Sequence, residues 1–302
     1  MNSSMEYPLV TVIVISYNHS MFIRENLDSI KNQTYKNIQL IVGDDASPDH
    51  SVEVFEQWLQ ENNYPAEKNY HTKNTGIAGM LNECMELVKG KYVKIIAADD
   101  FLHPESIEKS VVTLENLGDE YAMSYSHTHF VNNDSEVIED IVDYDILGKV
   151  DPYVFKDDLL KSNRIAALTV LLKTDVIKET GKYDTQFILE DYYRWLKISQ
   201  KYLIAYIPEK LAYYRLHTEN ISKIKADRVE LEAALLQMMF DKKGIAKGSI
   251  NHTTQKFYIS GKELPEEYLN AYRSYPFHLK KLDFAIKKKL PVPVYKILKK
   301  LF

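Results

Sequence analysis

Apolar blocks alternate with helical stripes through the first hundred positions. Leu9–Ser16 is β-branched and apolar apart from Thr11, which suits a strand covered on both faces. Phe22, Ile23, Leu27 and Ile30 then recur at helical spacing. Ile38–Val42 reads as a second buried strand. Ser51–Leu59 carries the stripe Val52, Phe55, Leu59, and Thr75 can cap a third helix reaching Val88. Tyr92–Ala98 is another apolar strand and ends abruptly in Asp99-Asp100. Pro104 opens a helix over 105–116. The alternation predicts an α/β fold, a mostly parallel sheet with helices on both faces. Ligands of such sheets bind at the carboxyl ends of the strands.

The middle of the chain is less regular. Tyr121–Val131 and Glu136–Val142 read as strands joined by Asn132-Asn133-Asp134. Asp157–Ser162 reads as a short helix, Ala167–Leu172 as an apolar run, and Asp175–Glu179 as a helix stopped by Gly181. Glu190–Lys201 predicts an amphipathic helix, Leu203–Ile207 and Leu211–Leu216 two strands split by Pro208, and Asp227–Lys242 a helix. Past Gly244 the pattern weakens. The boundaries this suggests are a catalytic domain over 1–225, with halves 1–103 and 104–225, and a helical extension over 226–302. Residues 277–302 hold eight lysines and one aspartate, a basic amphipathic tail.

Composition narrows the function classes. The 302 residues are 45% hydrophobic and 27% charged, enough for a sizeable core. The net charge of −5 argues against a nucleic-acid binder. The single cysteine, Cys84, excludes an internal disulfide framework and a cysteine-based zinc cluster. It sits among Met80, Leu81 and Leu87, as a buried inert thiol would. Neither GxGxxG nor GxxxxGK[ST] occurs, so the two common glycine cradles for phosphate are absent. No apolar run approaches the length of a membrane span, and the start carries no signal-like stretch. The expected location is cytoplasmic, peripheral on the inner face of the plasma membrane if the tail docks there.

The chemistry concentrates at strand ends. Asp44-Asp45 follows the second strand and Asp99-Asp100 the apolar strand Tyr92–Ala98. On one rim of a parallel sheet these carboxylates would repel unless a hard cation sat among them. Singly, each pair could equally start a turn. Glu190-Asp191 opens a helix, where acids favour the dipole or where one can serve as a general base. Strand alternation puts Arg215 and His217 on one face, near phosphate or metal or simply at a strand end, with Asn220-Ile221-Ser222 following. His127 and His129 share a strand face, but no third metal ligand is evident nearby.

Together, Val12-Ile13-Val14-Ile15-Ser16-Tyr17-Asn18, Asp44-Asp45-Ala46-Ser47 and Asn74-Thr75-Gly76 resemble the nucleotide-binding half of family 2 glycosyltransferases. Ala98-Asp99-Asp100 stands where that family places its DXD-type motif. Gly181-Lys182-Tyr183-Asp184, Glu190-Asp191-Tyr192 and Tyr214-Arg215-Leu216-His217 follow in the family's order. The resemblance covers about residues 8–222 and implies the Rossmann-like GT-A fold. It implies that Tyr17 and Asp45 hold the uracil of a UDP-sugar, with Ile15 beside them. Asp99 would lie near the ribose, Asp100 would bind Mn²⁺ or Mg²⁺, Asp191 would be the catalytic base, and His217 would approach the metal or diphosphate. Arg215 joins the donor-binding set. Two departures stand out: Met80-Leu81-Asn82 lacks the arginine common in the third helix, and Asp191 replaces the glutamine of processive members.

The resemblance implies an inverting, non-processive, metal-dependent transferase moving a hexose or N-acetylhexosamine. The acceptor is expected to be a glycan, lipid-linked, in bacterial surface polysaccharide assembly. A nucleotidyltransferase would favour a glycine- and lysine-rich loop after the first strand, where this chain has Tyr17-Asn18-His19-Ser20. A non-catalytic, membrane-docked sugar-nucleotide module would be expected to lack Asp100 or Asp191. The tail predicts an anionic membrane surface as a partner.

Overall fold

Val10–Ser16 (β1) is an interior strand of the sheet, with every one of its residues buried, Thr11 included. It pairs in parallel with Ile38–Asp44 (β2) on one side and Tyr92–Ala97 (β4) on the other. Ala66–Tyr70 (β3) extends the sheet beyond β2. The structure, a computed structural model, describes residues 7–143, 148–217 and 224–300. Among these, the remaining strands are Phe101–Leu102 (β5), Tyr121–Val131 (β6), Val137–Ile138 (β7), Leu171–Lys173 (β8) and Leu203–Arg215 (β9). The sheet runs β3-β2-β1-β4-β8-β6-β9-β5, with β7 paired to β6. Pairing is parallel from β3 to β4 and between β6 and β9, and antiparallel at β8, β5 and β7.

Ile23–Lys31 (α1), Ser51–Asn62 (α2), Ile77–Glu86 (α3) and Ser106–Asn116 (α4) connect these strands. Their apolar stripes are buried: Ile23, Leu27 and Ile30 from α1, Phe55 and Trp58 from α2, Ile107 and Leu114 from α4 join β1, β2 and β4 in one core. Phe155–Leu159 (α5), Thr174–Thr180 (α6) and Glu190–Ser199 (α7) belong to the second half.

Three expectations change here. Pro208 does not split the strand. β9 runs through it, and its ladder with β6 steps from the Ser126–Ile207 pair to the His127–Lys210 pair. Proline has no N–H to donate, so the ladder omits it as a bulge. The strand expected over Glu136–Val142 shrinks to β7, whose ladder with β6 holds only the Phe130–Ile138 and Val131–Val137 pairs. Ala167–Leu172 divides into a 3₁₀ turn over Ala167–Thr169 and β8. The Asn220-Ile221-Ser222 motif lies outside the described residues.

By contacts the chain divides into two units, residues 1–156 with 164–218, and 157–163 with 219–302. The second unit is helical: Ala226–Phe240 (α8), Lys247–Ser260 (α9), Glu266–Ser274 (α10), Lys280–Lys287 (α11) and Val292–Lys300 (α12). It has its own core, which includes Ile250, Tyr268 and Tyr272 together with Leu282, Ala285 and Tyr295 from the basic tail. Buried Asp241 ends α8 and nucleates the next turn, accepting the N–H groups of Lys243, Gly244, Ile245 and Ala246 and the Tyr275 hydroxyl. No described helix is long and apolar enough to cross a membrane.

Candidate functional site

The strand order reverses at β1: the chain leaves it toward β2 and later returns to its other side as β4. A crevice at such a reversal is where open α/β sheets bind ligands. The loop after β1 enters that crevice. Its backbone is pinned from the β2–α2 side, with Asn18 N–H on Ser47 Oγ, His19 N–H on Ser51 Oγ and Ser20 N–H on Asp49. Asn18 takes a left-handed φ of 62°, which asparagine tolerates better than most residues. Tyr17 is thereby held 45% exposed at the rim. Ile15 is buried within the ladder, and its carbonyl accepts the Ala98 N–H at 2.8 Å.

At the end of β4 the two aspartates part company. His217 Nε2 lies 2.9 Å from Asp99 Oδ2, and His19 Nε2 lies 3.7 Å from the same oxygen. These three side chains bring one ligand atom each to within 4.8 Å of one another. Ser16 Oγ, His19 Nδ1 and Asp99 Oδ1 are buried with no hydrogen-bond partner among the described residues. Burial alone pushes the Asp99 carboxyl up. The His217 hydrogen bond and the charges of His19 and His217 outweigh it and hold Asp99 below the usual carboxylate range. Asp100 behaves oppositely. Burial and the Asp99 charge push its carboxyl well up, against the Arg215 N–H that donates to Oδ1 at 2.8 Å.

Asp100 was expected to hold the metal; in the structure the two histidines converge on Asp99, while Asp100 Oδ1 accepts the Arg215 N–H. Unsatisfied polar atoms and crowded carboxylates are what a cation with attached phosphates would relieve. Two imidazoles and a carboxylate fit a first-row divalent ion such as Mn²⁺. His19 carries no motif that marks it in the sequence. The one sequence signal for it was its place in the loop following the central strand.

Arg215 does not line the rim as strand alternation predicts. Its side chain is fully buried. Nε donates to the Asp99 carbonyl, one terminal nitrogen to the carbonyls of Asn132 and Asn133, and the other to Ser135 Oγ and the Glu25 carboxylate. Its plane also lies over the Phe22 ring at 4.4 Å, and Phe22 in turn stacks on His217. Arg215 thus fixes the aspartates from behind, rather than presenting donors to a ligand.

Asp44 and Asp45 also differ. Asp44 closes its own turn, accepting the N–H and hydroxyl of Ser47. Asp45 accepts the N–H of Thr75 and of Gly76 and pairs with His71 Nδ1 at 2.9 Å. His71 Nε2 continues to Glu83. Asp45 is therefore oriented by the Asn74-Thr75-Gly76 segment, where Gly76 takes a φ of 79°.

Glu190 is buried while Asp191, beside it at the start of α7, remains half-buried. Arg194, one turn on, is committed to structure: it donates to the Ile177 and Gly181 carbonyls and to Thr180 Oγ1, and stacks over Tyr183. Asn82, which follows Leu81 at the position lacking the family arginine, exchanges two hydrogen bonds with the Tyr183 backbone.

A family model described as glycosyl transferase family 2 matches residues 11–155. An uncharacterized glycosyltransferase of Haemophilus influenzae is 30% identical over 222 residues, 72% of this chain and 68% of that protein. The Escherichia coli UDP-Glc:α-D-GlcNAc-diphosphoundecaprenol β-1,3-glucosyltransferase WfaP is 28% identical over 219 residues, 72% of this chain and 81% of its own. Among solved structures, S. aureus TarS 1-349 in complex with UDP-GlcNAc superposes with a TM-score of 0.70 at 15% identity, covering 93% of this chain and 88% of that one. The mannosyltransferase PcManGT from Pyrobaculum calidifontis, in complex with GDP-Man and Mn²⁺, gives 0.64 at 17% identity over 97% and 84%. With its strand reversal, acidic rim and these likenesses, the fold is that of a GT-A glycosyltransferase. The chain belongs to glycosyltransferase family 2.

Proposed function

We propose that this enzyme transfers a hexose or N-acetylhexosamine from a UDP-sugar to a hydroxyl of a lipid-linked glycan, with inversion, in surface polysaccharide assembly. The observation that carries the reading is the His19–Asp99–His217 cluster at the β1–β4 crevice, with unsatisfied Asp99 Oδ1 and His19 Nδ1. UDP-GlcNAc bound to TarS and the undecaprenyl-linked acceptor named for WfaP support the donor and acceptor classes.

Tyr17 and Asp45 hold the uracil, Ile15 forms the floor beneath it, and Arg215 keeps Asp99 and Asp100 in register. Asp99, His19 and His217 would hold Mn²⁺ or Mg²⁺, with Asp100 as the neighbouring carboxylate. When bound, such a cation supplies charge to the leaving diphosphate. The acceptor oxygen attacks the sugar C1 from the face opposite UDP. The C1–oxygen bond to UDP breaks as the new bond forms, and the hydroxyl proton passes to Asp191. The enzyme works at the inner face of the plasma membrane, where a lipid-linked acceptor resides.

Calorimetry with UDP and Mn²⁺ tests the site. Wild type binds UDP more tightly with Mn²⁺ than without, and Asp99→Ala removes that difference while keeping its melting profile. An unchanged Mn²⁺ effect in Asp99→Ala would overturn the metal assignment.

A further inference from the structure

Lysines are spread along the chain, and several, such as Lys68, Lys89, Lys91, Lys109, Lys201 and Lys262, lie within 4 Å of a carboxylate. From residue 280 onward they are dense and face almost no acid. Lys280, Lys287, Lys288, Lys289, Lys296 and Lys300 have no carboxylate partner among the described residues, and Lys299 donates to Gln255 instead. Asp283, the one acid of this stretch, is taken by Arg273 at 3.1 Å.

Apolar side chains stand among these unpaired charges. Leu282, Ala285 and Tyr295 face the helical core, which leaves the opposite arcs of α11 and α12 outward. On α11 the outward arc carries Phe284, 48% exposed. Lys280, Lys287 and Lys288 lie three and four residues from Phe284, on the same helix face. On α12 Val294 and Ile297 are exposed, Ile297 at 62%, and Lys300 shares their face. An unpaired cationic field around protruding apolar groups complements an anionic lipid surface, which supplies both phosphate charge and a place to bury the rings and methyls.

We infer that α11 and α12 dock on an anionic bilayer, with Phe284 and Ile297 entering the interface and the surrounding lysines pairing with lipid phosphates. The inference stands on the helical unit alone and does not depend on the donor or acceptor chemistry.

Co-sedimentation of the full chain with vesicles tests it. Wild type sediments with phosphatidylcholine vesicles containing phosphatidylglycerol, does not sediment with pure phosphatidylcholine, and is released as salt rises. Each lysine near such a surface strengthens partitioning about fivefold, so Lys287→Glu with Lys288→Glu weakens it by at least about 25-fold. Phe284→Ser with Ile297→Ser reduces it at low salt as well. Both double variants keep the wild-type melting temperature and the wild-type rate of UDP-sugar hydrolysis in solution. Equal sedimentation of wild type and variants, or equal binding to neutral vesicles, would overturn the inference. So would a wild-type dimer that Phe284→Ser with Ile297→Ser converts to monomer without loss of vesicle binding, which would assign the face to a second copy of this chain.

Discussion

Replacing Arg215 by methionine keeps a long, unbranched side chain and removes every donor it carries. The carbonyls of Asp99, Asn132 and Asn133 then lose their Arg215 donors, as does the Glu25 carboxylate. A buried acceptor left unmade costs about 1–3 kcal/mol. Glu25 is partly solvated, so its loss is discounted. The Asp99 carbonyl is buried and those of Asn132 and Asn133 partly so, which together set a cost on the order of 3 kcal/mol. For a domain of this size 1 kcal/mol moves the melting temperature by about 2–4 °C, so Arg215→Met should melt at least roughly 6 °C lower. Arg215→Lys keeps the charge but not the planar fork, and should recover only part of the loss. The assay is calorimetric melting of both variants beside UDP titrations. If Arg215→Met melted within about 2 °C of wild type while UDP affinity fell more than tenfold, the guanidinium would be facing donor phosphates and the structural role argued above would be wrong.

Three further outcomes follow from other parts of the molecule. Asp191→Asn should bind UDP as wild type does but lose transfer by about 10²–10⁴-fold, the usual contribution of a general base; Glu190→Gln should cost far less, and the reverse ranking in a radiolabelled transfer assay would move the base by one residue. Burial pushes the Asp241 carboxyl up, but the Tyr275 hydroxyl and the N–H groups of Ala246, Ile245 and Lys243 outweigh it and hold it down; its contribution is therefore full above the unfolded value of about 3.9 and is lost as pH falls through the lower folded value. Circular dichroism melts should show Asp241→Asn below wild type at neutral pH, with the gap narrowing only in acid. A Cβ on Gly90 would lie 2.6 Å from Thr11 N, 2.7 Å from Tyr92 O and 2.8 Å from Leu9 O, all backbone, whereas one on Gly118 meets nothing closer than 4.0 Å; Gly90→Ala should thus destabilise by about 1–3 kcal/mol in denaturant titrations and Gly118→Ala should be nearly silent.

The central strands were legible because burial on both faces leaves unbroken apolar runs, as in β1, β2 and β4. β3 was not, because an edge strand written Ala66-Glu67-Lys68-Asn69-Tyr70 is half-solvated and carries no such signal. Nor was β5, two residues long and defined only by its pairing with β9. The carboxylates at the strand ends pointed to the rim. Which of two adjacent aspartates meets the histidines could not be read, since sequence spacing does not say where Arg215 and His217, more than a hundred residues later, will donate. His19 was hidden for the same reason: its partner is remote in sequence, and a loop histidine has no periodicity. In the tail, one arc packs in the helical core through Leu282, Ala285 and Tyr295 while Phe284 and Ile297 stay exposed, a division its even mix of lysines and apolar residues does not mark.

The paired hydrogen bonds between Asn82 and the Tyr183 backbone, at 2.9 and 2.7 Å, join segments 101 residues apart. They bear on how members of such a family can be recombined. A chimera that grafts the acceptor half of a relative onto this nucleotide-binding half inherits a loop shaped for whatever residue the relative carries at position 82. A residue there that only donates, such as lysine, or only accepts, such as aspartate, cannot return both the donor and the acceptor that the Tyr183 peptide requires. Exchange of acceptor specificity by segment swapping should therefore succeed when residue 82 travels with the graft, and give poorly folded hybrids when it stays behind.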